Sequence, residues 1–142
     1  MERALRFDVT YPHPPAKVWR VITTREHLAS WLMPNDFEPT VGHRFQFRSK
    51  PVGGWDGIVN CEVLELVPER KMVLTWTSNV IDTKLTFLLE PQGTGSRLTL
   101  LHTGFKGMKG VMTSFILGMG WKGMVNTGIP NLVTRLEQEG RL

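Results

Sequence analysis

The chain has 142 residues, which is enough for one domain with its own hydrophobic core and too few for two. Hydrophobic residues make up 41% and charged residues 21%, a globular balance that excludes a disordered chain, and the net charge is a modest +4. A single cysteine, Cys61, excludes an internal disulfide framework and a multi-cysteine zinc site.

The N-terminal segment MERALRFDVTYPHPP is charged and alternating, without the apolar run of a signal peptide. Within it, Leu5, Phe7 and Val9 alternate with Arg6, Asp8 and Thr10, which predicts a half-buried strand over residues 4–10. Pro12, Pro14 and Pro15 stop that strand, and Pro15 suits the first position of a helix. Val18, Trp19, Val21 and Ile22 give this helix its apolar face. Thr23 or Thr24 then caps a second short helix with His27, Leu28, Trp31 and Leu32 on its apolar side, ended by Pro34.

From about Gly42 to Gly104 the period becomes two. The inward sets are Phe45 and Phe47; Val59, Cys61 and Val63; Met72, Leu74 and Trp76; Leu85, Phe87 and Leu89; and Leu98, Leu100 and His102. Turn chemistry separates them at Pro51–Gly54, Pro68–Arg70, Ser78–Asn79 and Pro91–Gly95. Five strands with short turns predict an antiparallel meander with one polar face. Asn60 and Glu62 fall on that polar face, unless a one-residue bulge reverses them.

After Phe105 the period is helical again. Met108, Met112, Phe115 and Met119 form one stripe, and Val125, Ile129, Leu132, Val133 and Leu136 continue it. The spacing predicts one long helix from about 108 to 138, with a kink where Pro130 removes a backbone bond. Its most apolar stretch, Val111 to Trp121, is shorter than the roughly 20 residues that span a bilayer, so a cytoplasmic protein is expected. The order β-α-α-β5-α is α+β. A sheet with one apolar face must wrap around something, and the long helix is the candidate. A curled sheet around one helix is the helix-grip architecture, with residues 1–142 as one domain.

Five segments carry a resemblance: PPAKVWRVITTREHLASWL (14–32), FEPTVGHRFQFR (37–48), GIVNCEVLELVPERKMVLTW (57–76), RLTLLHTGF (97–105), and Gly120-Trp121 followed by Leu132 and Leu136. In this order they resemble the activator of heat-shock protein 90 ATPase homologue-like family of the START-like (SRPBCC, Bet v 1-like) superfamily. The resemblance implies the helix-grip fold and a hydrophobic cavity between sheet and helix. It does not imply one activity, because the superfamily includes lipid carriers, plant ligand-binding proteins, polyketide cyclases and co-chaperone domains.

The lining expected of such a cavity is Trp31, Phe45, Phe47, Trp55, Cys61, Met72, Trp76, Leu85, Phe87, Leu100 and His102, with Met112, Phe115 and Met119 from the long helix. The glycines 110, 118, 120, 123 and 128 leave room for a ligand, or for close packing of helix on sheet. Trp55 either covers the cavity mouth or fixes its own loop through its indole. His102 either orients a ligand or acts as an acid/base; alternatively it is a core histidine bonded to a neighbouring hydroxyl. Lys106, Lys109 and Lys122 attract an anionic head group or acidic partner, or are a solvated face.

His13, His27, His43 and His102 have no metal-ligand spacing, no phosphate loop or GxSxG elbow occurs, and no clustered basic stripe points to nucleic acid. Neither a metal nor a cofactor is expected. The leading expectation is non-enzymatic binding of an apolar or amphipathic small molecule. Stimulation of a chaperone ATPase comes second, since the eukaryotic activators behind the family name carry an additional N-terminal domain while this sequence starts at its first strand. A cyclase or hydrolase comes third, since His102 alone titrates inside. Monomer and homodimer both fit, with Phe115–Leu117 as pocket lip or dimer face.

Overall fold

The alternating N-terminal run forms β1 (Glu2–Tyr11) in a computed structural model that describes residues 1–142. The proline cluster turns the chain into α1 (Pro15–Ile22), which buries Val18, Val21 and Ile22. A second helix, α2 (Arg25–Trp31), follows directly and buries Leu28 and Trp31. Thr24 holds its N-cap position, but its side chain makes no capping bond. Thr23 Oγ1 instead donates to the Trp19 carbonyl at 2.6 Å.

The meander is β2 (Arg44–Arg48), β3 (Ile58–Val67), β4 (Lys71–Thr77), β5 (Asp82–Gln92) and β6 (Gly95–Lys106). With β1 they make one antiparallel six-stranded sheet in the order β1-β6-β5-β4-β3-β2. The first strand thus pairs with the last. All five inward sets of the meander are buried. A register shift in β3 falls between Val63 and Glu65, after Asn60 and Glu62, so those two keep the outward face.

Gly107, at φ 70°, turns the chain out of β6 into α3 (Gly107–Gly123). A π-helical turn, Met124–Gly128, then leads without a break into α4 (Ile129–Gln138). The kink expected at Pro130 takes this form. Proline cannot donate, and a π-turn would direct the Val125 carbonyl toward the missing N–H of residue 130. Tyr11 Oη fills that vacancy, donating to the Val125 carbonyl at 2.6 Å, while the Ile129 N–H bonds the Met124 carbonyl. Beyond the turn, α4 packs on α1 and α2, with Lys17 and His13 both paired to Glu137. α3 packs on β1 and β6. The molecule is therefore the expected α+β arrangement, a curved antiparallel sheet around a C-terminal helix.

Candidate functional site

The concave face of the sheet is an aromatic and aliphatic surface. Phe45 and Phe47 come from β2, Cys61 from β3, Met72 and Trp76 from β4, Leu85 and Phe87 from β5, and Leu100 and His102 from β6; all are buried. Trp31 reaches this surface from α2, and its indole N–H donates to the Val21 carbonyl at 2.9 Å. The rings form a connected set: Phe45–Phe47 at 5.3 Å, Phe47–Trp76 at 5.5 Å, Trp76–Trp121 at 5.5 Å and Trp31–Phe87 at 6.3 Å between centroids. Trp55 stands apart, partly buried, with its indole N–H donating to the Ile58 carbonyl at 3.0 Å and so fixing its own loop.

Met112, Phe115 and Met119 point away from the sheet. Their exposures are 63%, 54% and 76%, and Met108 and Ile116 beside them are each 71% exposed. The side of α3 that meets the sheet is Gly110, Ser114, Gly118 and Trp121, and this stripe continues into Val125, Ile129, Leu132 and Leu136. The reason is proximity. A Cβ on Gly110 would lie 3.3 Å from the Phe105 backbone, and one on Gly118 would lie 3.4 Å from Leu5. Large side chains there would lift the helix off β1 and β6. Counting back from Trp121 and Val125 in helical steps leads to the small residues, a signal that the larger side chains of the methionine stripe obscure.

The close seam brings Trp121 to His102. The Trp121 Nε1–H donates to His102 Nδ1 at 3.0 Å, which leaves the imidazole proton on Nε2. That Nε2–H points to Thr83 Oγ1 at 2.7 Å, and the Thr83 hydroxyl donates onward to the Trp76 carbonyl at 2.7 Å. Every donor and acceptor in this chain is used. Burial lowers the His102 pKa to about 3, so the ring is neutral across the physiological range. The arrangement orients three elements against one another. It has no free lone pair with which to take a substrate proton. Thr83 and Trp121, its two partners, lie on other elements, 19 residues to either side.

The other titrating groups facing the interior are similarly quiet. Burial pushes the Cys61 thiol and the Tyr11 phenol up from their ordinary values. No three His, Cys, Asp or Glu side chains converge where they could hold a metal ion. Surface grooves of about 560, 520 and 330 Å³ all open on the outward face of the sheet, the second lined by Arg44, Gln46, Asn60 and Glu62. Between sheet and C-terminal helix, the volume is occupied by Trp31, Trp76, Trp121 and Phe87. No helix is long and apolar enough to cross a membrane.

The fold has close structural relatives. Protein MLL2253 from Mesorhizobium loti is 31% identical, with a TM-score of 0.83 over 94% of this chain and 98% of that one. Protein BH1534 from Bacillus halodurans is 26% identical, with a TM-score of 0.75 over 92% of this chain and 96% of the other. The Aha1 dimer from Colwellia psychrerythraea shares the fold at 17% identity, with a TM-score of 0.74 over 88% of this chain and 92% of that chain. No curated protein matches the sequence. The family model described as Activator of Hsp90 ATPase homolog 1-like protein matches residues 12–137, nearly the whole sheet and helix assembly, and the chain belongs to that family.

Proposed function

We propose that the protein binds an apolar or amphipathic small molecule, lipid-like or aromatic, between the concave face of its sheet and its C-terminal helix, without chemistry on it. The observation that carries this reading is the seam under α3. An interior of aromatic and aliphatic side chains is closed on one side by a helix that touches it through Gly110, Ser114 and Gly118. Few large side chains interlock there, so lifting α3 breaks little packing and uncovers apolar surface. The glycines at 120 and 123 and the π-turn after them lie where the helix would bend. His102, neutral and fully bonded, supports binding over catalysis.

Native mass spectrometry of freshly purified protein tests the reading. A stoichiometric adduct that disappears on denaturation, with a mass typical of a lipid or aromatic compound, is the expected outcome. A clean protein mass, together with no saturable quenching of tryptophan fluorescence by fatty-acid and aromatic probes, would remove it. Stimulation of a chaperone ATPase, the activity in the family's description, would then be the next property to assay.

A further inference from the structure

The outward face of α3 is apolar, and nothing in the chain covers it. Met108, Met112, Phe115, Ile116 and Met119 are between 54% and 76% exposed. Met1, 79% exposed, extends the face at the helix N-terminus, where its carbonyl accepts from the Gly107 N–H at 3.0 Å. The charges around this face are of one sign. With about 100° per residue, Lys122 lies about 60° to one side of Met119 and Lys109 about 80° to the other, and Lys106 stands at the helix start. The Arg3 guanidinium stacks on the Phe115 ring at 3.8 Å, and its buried Nε has no hydrogen-bond acceptor. No Asp or Glu occurs between Glu90 and Glu137. Glu2, paired opposite Lys106 in the sheet, is the acidic neighbour.

This charge pattern selects the occupant. An isologous dimer through the face would bring its cations against copies of themselves. What fits is a surface that presents anions at its boundary and apolar material beneath. We propose that α3 docks in the headgroup layer of an anionic lipid bilayer. Met112, Phe115, Ile116 and Met119 enter the acyl boundary, and Lys106, Lys109, Lys122 and Arg3 meet the phosphates. Docking goes beyond ligand binding and rests on that reading only for its purpose: the docked helix is also the lid of the proposed site. A lipid-like ligand then passes between bilayer and sheet without crossing water.

Flotation with vesicles tests this. The full chain is mixed with vesicles of phosphatidylcholine alone, or of phosphatidylcholine with phosphatidylglycerol, at low and at molar salt. The protein is expected to float with the anionic vesicles at low salt and to be released by salt. The triple variant K106Q/K109Q/K122Q should lose on the order of 100-fold in partition, since each cation near an anionic surface contributes about fivefold. The pair Phe115→Ser and Met119→Ser should lose at least about tenfold, with an unchanged melting curve because both side chains are exposed. Retention on neither vesicle, equal retention on both, or indifference to these substitutions would overturn the inference. So would light scattering that shows a vesicle-free dimer dissolved by Phe115→Ser. Native mass spectrometry keeps the two readings apart: an adduct without vesicle binding removes the docking alone, and vesicle binding without any ligand removes the ligand reading alone.

Discussion

His102 is held neutral by completed hydrogen bonds in a buried site. Protonation would put a second donor on Nδ1, against the indole N–H that already points there. The pKa is about 3 in the folded protein, against an ordinary value of 6.5, so below pH 6.5 the unfolded chain binds the extra proton. Stability from this group is full above pH 6.5, falls by about 1.4 kcal/mol per pH unit below it, and levels off only near pH 3. Between pH 6.5 and 4.5 the expected loss is roughly 2–3 kcal/mol. Denaturant titrations across that range measure the loss, and nitrogen NMR of the imidazole checks the cause. The ring should keep its Nε2–H form at pH 4.5, and a resonance that titrates near 6.5 would refute the account. The sequence places His102 inward by alternation alone. Its partners were not legible, because spacing along the chain says nothing about which hydroxyl and which indole meet in space.

At the scale of elements, the sheet was readable and the last helix only half so. Each strand has one apolar face and one polar face, so a period of two leaves a single solution, and the buried sets are the ones alternation selects. The helix carries two stripes with the same period. Hydrophobicity favours Met108, Met112, Phe115 and Met119, but what decides is how near the sheet lies, and Gly110, Ser114 and Gly118 permit the closer approach. Two glycines distinguish packing from flexibility. Gly123 has ordinary helical φ and open space where a methyl group would sit, with nothing within 4 Å, so Gly123→Ala should stabilise by about 0.5–1 kcal/mol and raise Tm by roughly 2–4 °C. Gly110→Ala, facing the Phe105 backbone at 3.3 Å, should lower it. Differential scanning calorimetry of both variants decides the matter; a Gly123→Ala protein that melts no higher would mean that this segment is not helical in solution.

At the scale of the whole molecule, the two halves of the C-terminal helix are held unequally. α4 is clamped by α1, α2, the Glu137 pairs and Tyr11, whereas α3 before Trp121 rests on β1 and β6 through small side chains. Native-state hydrogen exchange should therefore find the amides of residues 111–119 opening at lower free energy than those of β4, β5 and β6. A bound ligand should slow them. Equal protection throughout would mean that α3 opens only with the whole fold, and no lid would exist.

The pairing of the first strand with the last also sets the order of assembly. Local turns bring β2 to β6 together one hairpin at a time, but Tyr11 meets Ser96, and Glu2 meets Lys106, only after nearly the whole chain is present. The Tyr11 bond to the helix spans 114 residues. During synthesis, β1 leaves the ribosome first and waits for its neighbour longest. Proline-rich residues 12–15 and the charged residues Arg6 and Asp8 keep that waiting strand from recruiting other chains.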